Sequence, residues 1–332
     1  MYQSRIIGAG HYVPENIITN QDLEKVMNTT DEWIVERTGI KERRYFTEGK
    51  DTTATMGTHA AQKAIEHAGI ASNDIDLIVF ATLSPDYYFP GCGVLLQKQL
   101  GLKNIPALDV RNQCSGFIYG VSVADQFIKT GMYKTVLVVG AETQSNFVEY
   151  SDRHRHIAVI FGDGAGAVVM QRSKTPNQGI LSTHLYSDGS LAEELFCPHP
   201  GTRLKTRLTP EMLTDGSLLT HMNGSLVFKH AVTRFEECIN TALTSNQYSI
   251  HDLDLLIPHQ ANLRIAEYIT RKFELPEEKV FNNIQKYGNT TAASIPIAIS
   301  EAWQEGKIKE HSLVCLAAFG SGFTWASALI RI

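Results

Sequence analysis

The feature that most limits how this chain can fold is that it repeats itself. Ile75-Asp76-Leu77-Ile78-Val79-Phe80 resembles Leu253-Asp254-Leu255-Leu256-Ile257-Pro258, with Asp76 and Asp254 in matching places at an offset of 178. Each segment follows a helical pattern and a short polar turn. Further on, Cys114 opens a stretch with helical spacing that runs to Gly131. Asn289 opens one of equal length that runs to Gly306, at an offset of 175. After each glycine comes an apolar run of buried-strand length, 135–140 and 313–318.

Strand-like and helix-like segments alternate throughout, the pattern of an α/β protein. Two halves, 1–172 and 173–332, are expected to meet at the polar connection 172–179, which holds Pro176 and Gly179. The second half carries a polar, turn-rich excursion at 187–222, placed to customise a pocket. If a pseudo-twofold axis relates the halves, Cys114 and Asn289 occupy equivalent strand-to-helix turns. Strands whose carboxyl ends approach each other then bring both residues into one crevice.

Composition narrows the function classes. With 43% hydrophobic and 20% charged residues in 332, the chain is neither disordered nor in need of disulfide staples. Thirty basic against 35 acidic residues, net −5, argue against a general nucleic-acid or membrane-surface binder. Five scattered cysteines without a CxxC pair form neither a disulfide framework nor a zinc motif, so no metal is expected. No run reaches the roughly 18 apolar residues of a membrane span. No signal peptide is visible at Met1–Gly10, and a reducing cytoplasm is expected.

Local signals place the helices. Thr29-Thr30-Asp31-Glu32 has capping-box spacing ahead of Trp33. The stretch Thr53 to Ala68 stops at Gly69, a left-handed terminator. Between Ser225 and Leu243, residues Phe228, Ala231, Val232, Phe235, Ile239 and Ala242 define one apolar face.

Three positions could carry chemistry. Cys114 ends an extended run and leads through Ser115-Gly116 into a helix, where free N–H groups and the dipole favour thiolate and could hold an oxyanion. For an arbitrary cysteine a buried, inert role is commoner, and Cys238 and Cys315 fit it, on a helix stripe and within an apolar strand. His259 follows the strand Leu255-Leu256-Ile257 and Pro258; Asn289, read alone, is a turn residue or cap. Together, a thiol can hold an acyl group as a thioester, while Asn and His donate N–H bonds to one oxygen. A thiol hydrolase uses the same residue types, so the set alone leaves condensation and hydrolysis both open. The run Phe161-Gly162-Asp163-Gly164-Ala165-Gly166-Ala167 lacks GxGxxG spacing and leads into a strand, which rejects a dinucleotide site and suggests close packing beneath the site.

The Cys114 segment, His259-Gln260-Ala261-Asn262-Leu263-Arg264, Tyr287-Gly288-Asn289-Thr290 and Ala318-Phe319-Gly320-Ser321-Gly322-Phe323-Thr324-Trp325 closely resemble β-ketoacyl-acyl carrier protein synthase III. So do Asp31–Ile40 and Phe161–Gly166, and the likeness runs over nearly the whole chain. The resemblance implies the thiolase fold, a five-layered αβαβα arrangement of two duplicated halves, usually a homodimer. It implies a decarboxylating Claisen condensation of an acyl-CoA primer, typically acetyl-CoA, with malonyl-acyl carrier protein, initiating fatty acid synthesis. No cofactor is implied beyond the coenzyme A thioester substrate. Cys114, His259 and Asn289 match the catalytic set, and the backbone N–H groups of Cys114 and Ser321 match its oxyanion hole. Trp33 and Arg155 match residues that sandwich the CoA adenine, with Thr29 and Arg37 near its phosphates; the surrounding stretch departs from the commoner pattern and leaves Arg153 as the alternative. Gly224, Phe228 and Asn262 match the pantetheine channel, and Phe89 a residue that closes the partner's acyl pocket. Lys229, Gln260, Arg264, Arg271 and Lys272 are the candidates for docking the acidic carrier protein, Arg264 and Arg271 falling on one helix face. A sibling synthase of secondary metabolism, a thiol acyl-hydrolase and an inert scaffold are the rival readings; the intact Cys-His-Asn set argues against the last.

Overall fold

The computed structural model describes residues 2–332. Among these, nine strands build two main sheets: β1 Gln3–Tyr12, β2 Leu77–Ala81, β3 Ala107–Val110, β4 Thr135–Glu142, β5 Gly164–Ser173, β6 Gly179–Ser187, β7 Leu255–Pro258, β8 Leu313–Gly320 and β9 Thr324–Arg331. The first sheet has the order β1-β5-β4-β2-β3 and the second β6-β9-β8-β7. Strand for strand these orders match, with β2/β4 and β7/β8 parallel and the remaining shared neighbours antiparallel. Where β3 pairs with β2 at Ala107–Ile78, the second sheet keeps only an isolated bridge, Leu256–Val280. Ile78 and Leu256 stand at the same offset of 178.

Seven helices position the site: α1 Asp31–Thr38, α2 Thr53–Ala68, α3 Cys92–Gln99, α4 Gly116–Lys129, α5 Gly224–Thr244, α6 Leu263–Lys272 and α7 Ser294–Gln304. Strand periodicity explains the layers, because successive side chains point to opposite faces. In β4, Val136 and Val138 join a central core with α4 and α7, whereas Leu137, Val139 and Ala141 join an outer core with α2 and α3. In β8, Val314, Leu316 and Ala318 face the same centre, and Leu313, Cys315, Ala317 and Phe319 face outward under α5 and α6. The result is the thiolase fold: helices, sheet, central helices, sheet, helices. Each fully buried aliphatic side chain in such a layer contributes roughly 1.5–3 kcal/mol.

The structure corrects the assumed equivalence of Cys114 and Asn289. Helices α4 and α7 start at Gly116 and Ser294, an offset of 178, but end at Lys129 and Gln304, an offset of 175. The second helix is shorter by nearly one turn, and the loop after it restores the offset by Leu313. Matching the glycines therefore slipped the register; the counterpart of Cys114 is Ala292. Both turns are reached through a non-glycine residue in the left-handed region, Gln113 at φ 43° and Thr291 at φ 46°.

Three smaller readings also change. The cap of α1 is Thr30, whose hydroxyl accepts the Trp33 N–H, and not Thr29 paired with Glu32. Strand β5 continues to Ser173, so the connection between halves is shorter than 172–179. The excursion is anchored as well as exposed: Asp188 and Phe323 exchange backbone hydrogen bonds, and Leu195–Phe196 pairs with His221–Met222. Helix α2 ends at Gly69 in the left-handed conformation, as its sequence indicates.

Candidate active site

The nucleophile candidate stands in a 3-10 turn, Gln113–Ser115, that feeds directly into α4. Cys114 is 8% exposed. The end of β8 lies against it so closely that a Cβ on Gly320 would fall 3.0 Å from the sulfur. Only glycine fits there. The backbone N–H groups of Cys114 and Ser321 reach the sulfur and draw its pKa down, but burial, aided by the Glu142 carboxylate, wins and pushes the thiol up to about 12. Burial thus acts against the thiolate that the two N–H groups favour. A neutral acyl thioester suits this place better than a bare sulfur anion.

His259 follows β7, and its backbone N–H donates to Ala317 O of β8 at 2.8 Å, close along that strand to the Gly320 that abuts Cys114. Its ring is buried; Nδ1 lies 2.6 Å from Ser294 Oγ, and Nε2 has no partner among the described residues. Burial pushes its pKa down to about 3, so the imidazole is neutral. Asn289 is pinned by the glycine-rich run. Its N–H donates to Ile160 O and its C=O accepts from Gly162 N–H, while a Cβ on Gly162 would strike Tyr287 O at 2.1 Å. The Thr291 N–H donates to Asn289 Oδ1 at 2.8 Å, which leaves the Nδ2 amide as the free end. The end of β8, which abuts Cys114, thus also holds the His259 backbone, and the turn Thr291–Ala293 that follows Asn289 packs against the turn Gln113–Ser115.

Models of two parts of one family fit the chain: 3-oxoacyl-[acyl-carrier-protein (ACP)] synthase III over residues 108–189 and its C-terminal part over 243–332. A β-ketoacyl-[acyl-carrier-protein] synthase III of Xanthomonas euvesicatoria is 46% identical over 328 residues, 99% of this chain and 98% of that one. One from Ehrlichia canis is 43% identical over the full length of both. The crystal structure of 3-oxoacyl-[acyl-carrier-protein] synthase III from Aquifex aeolicus superposes with a TM-score of 0.90 at 45% identity, covering 99% of this chain and 100% of that one. The chain belongs to the β-ketoacyl-[acyl-carrier-protein] synthase III family.

On the surface side, Trp33 is half-buried, with the Arg37 guanidinium 4.5 Å and the Arg155 guanidinium 4.8 Å from its ring centroid. Arg155 is further tied to Asn28 O. Arg153 is paired with Glu149 at 2.5 Å and bonded to Thr214 O in the excursion, so of the two arginines only Arg155 stacks on the indole. A base between Trp33 and Arg155 needs about 7 Å, two van der Waals layers, so the guanidinium, 4.8 Å from the ring centroid, would move outward to admit it. The Thr29 hydroxyl is buried without a partner. Gly224 begins α5 and Phe228 is half-buried in the outer core. Asn262 caps α6, accepting from Arg264 N–H, and donates to Arg37 O, so its amide is already engaged within the chain.

Of the docking candidates, Arg264, Arg271 and Lys229 are on the surface, while Lys272 lies 3.4 Å from Glu236. Gln260 is a correction. It is 3% exposed, donates to Pro258 O and Phe281 O and accepts from Asn283 N–H and Ile284 N–H, so it locks a loop and touches no partner. Phe89 is 80% exposed beside exposed Tyr87 and Tyr88. Sequence reasoning passed over Ser294 and Glu142. The second had a signal, an acidic residue closing the apolar strand 135–141; its buried carboxylate accepts from Leu83 N–H, Ser84 N–H and the Thr82 and Ser84 hydroxyls.

Proposed function

We propose that the chain initiates fatty acid synthesis through a thioester on Cys114. Membership of the family makes it a condensing acyltransferase. In the first half-reaction a bond forms between Cys114 Sγ and the acyl carbon, the bond to the CoA sulfur breaks, and the thiol proton leaves with CoA. The N–H groups of Cys114 and Ser321 stabilise the tetrahedral oxyanion. In the second, malonyl-acyl carrier protein places its thioester oxygen between His259 Nε2 and Asn289 Nδ2. The bond to the carboxylate breaks with release of CO2, its electron pair enters the enolate, and the α-carbon attacks the acyl carbon. The Cys114 sulfur leaves and regains a proton. No cofactor takes part; the CoA thioester is a substrate.

The observation that carries this reading is a buried, neutral histidine whose Nε2 has no partner among the described residues and whose backbone is held by β8, the strand whose end abuts a thiol reached by two backbone N–H groups. Binding of CoA at Trp33, Arg37 and Arg155, with pantetheine passing Gly224 and Phe228, is supported by the cationic stack there. A homodimer is supported by the bare edge of β3, where Leu108 is 40% exposed, and by the apolar group of Tyr87, Tyr88 and Phe89. No helix among the described residues is long and apolar enough to cross a membrane, and the five cysteines are unbonded, which supports a reducing cytoplasm. Transfer of radiolabel from acetyl-CoA to Cys114, followed by CO2 release and 3-ketoacyl product, tests the proposal; net hydrolysis without carbon–carbon bond formation refutes it.

A further inference from the structure

We infer that Ser294 is a positioning residue that sets the tautomer of His259, placing its proton on Nε2. The inference rests on the reading of His259 Nε2 as the donor to the substrate carbonyl. Ser294 begins α7 and is 2% exposed. Its Oγ has two partners among the described residues, His259 Nδ1 at 2.6 Å and the Gln260 N–H at 3.3 Å. The Gln260 N–H can only donate, so it supplies a hydrogen to Oγ. The hydroxyl's own hydrogen then has one acceptor within reach, Nδ1. An Nδ1 that accepts cannot carry the proton, and a neutral imidazole has only one. The proton is therefore on Nε2.

The reverse tautomer fails on the same count. Were Nδ1–H to donate to Ser294, the serine proton would be left buried without an acceptor, and Nε2 would show a lone pair where the enolate needs a donor. Burial keeps the imidazole neutral, with a pKa pushed down to about 3, so tautomer choice and not protonation state decides what the ring offers. The internal repeat isolates the feature. At the offset of 178, Ser294 corresponds to Gly116 and His259 to Ala81, and a Cβ built on Gly116 stands 3.4 Å from the Ala81 Cβ. The same two backbone positions meet in both halves. In one half the contact is plain packing, and in the other it is a hydroxyl on an imidazole nitrogen.

The decisive measurement is ¹⁵N NMR of the intact protein labelled at histidine, with His259 assigned by its loss in His259→Gln. Protonated Nε2 with unprotonated Nδ1 is expected; a protonated Nδ1 in the unmodified protein overturns the inference without any serine variant. Ser294→Ala is expected to leave radiolabelled acetyl transfer to Cys114 within about twofold. It should lower kcat for malonyl-acyl carrier protein decarboxylation by about tenfold to a hundredfold with KM little changed, less than outright loss of a donor. Ser294→Thr, which keeps the hydroxyl, restores the rate. Full decarboxylation in Ser294→Ala, or an unchanged tautomer pattern there, refutes the role of the serine. His259→Ala separates the two levels: if it decarboxylates normally, the reading of His259 itself falls. If it is dead while Ser294→Ala is normal, only the present inference falls.

Discussion

The turn before α4 and the turn before α7 share a backbone but not a task. Each is entered through a left-handed residue, Gln113 or Thr291, and each leads into a central helix. Where the first carries Cys114, the second carries Ala292; where the second half sets His259 after β7, the first half ends β2 with Ala81. Both alanines crowd one spot, their Cβ atoms 3.8 Å and 3.4 Å from where a Gly116 Cβ would stand. The two frames are equivalent, and at these two positions one keeps Cys114 and the other His259, each with an alanine where its counterpart has the reactive side chain. In the proposed mechanism the nucleophile then comes from one half and the proton donors, His259 and Asn289, from the other.

The largest effect tests that asymmetry directly. Cys114→Ala should abolish acyl-enzyme formation, measured by mass spectrometry after incubation with acetyl-CoA, and adding Ala292→Cys should not restore it. In the counterpart frame the residue matching Ser321 is Thr143, whose N–H already donates to Ser84 Oγ, and a Cβ on Gly140 would already meet Ala292 O at 2.3 Å. Acylation of the relocated thiol would break the comparison. Next come the donors. His259→Ala and Asn289→Ala should each lower decarboxylation by about 10²–10³-fold while sparing acyl transfer, the pattern of lost oxyanion stabilisation.

Much of this was legible in the chain itself. The α/β class followed from alternating strand and helix patterns and the repeat, the layers came with the motif likeness, and the three site residues were picked out by strand ends and that likeness. What the sequence could not show was register and occupancy. The slip from 178 to 175 arose because α7 is nearly a turn shorter while a glycine follows both helices. Gln260 stood among the docking candidates and Asn262 matched the pantetheine channel, but the sequence could not show that backbone groups of neighbouring loops engage both amides. The Cys114 helix terminus was visible, but the burial that pushes its thiol up was not, since the end of β8 at Gly320 that packs against it lies near the far end of the chain.

Smaller effects concern stability. Gly140→Ala should cost about 1–3 kcal/mol in denaturant unfolding, because the new methyl meets backbone and not a movable side chain. His259 contributes through pH. Its pKa is lowered in the fold, so the unfolded chain binds the extra proton first; the stabilisation is whole above about pH 6.5 and is lost as pH falls toward 3. This one group steepens the decline by at most about 1.4 kcal/mol per pH unit. His259→Gln should flatten the loss of Tm between pH 7 and 5.

The smallest effects lie on the outer face of the second half, which has no charged equivalent in the buried comparison. Arg264 and Arg271 project from α6 and are exposed, whereas Lys272 is partly satisfied by Glu236. A free cation loses nothing within its own chain when an acidic partner approaches; a paired one must give up a contact. Charge reversal at Arg264 or Arg271 should therefore raise KM for the carrier protein by about two- to fivefold per site, the scale of exposed ion pairs. Lys272→Glu should do less at the partner, and all three should leave acetyl-CoA priming unchanged. The effect should fade as salt rises toward about 0.5 M, where screening contracts to about 4–5 Å. Equal damage to both half-reactions would mean that the helix had been disturbed and that the docking face lies elsewhere.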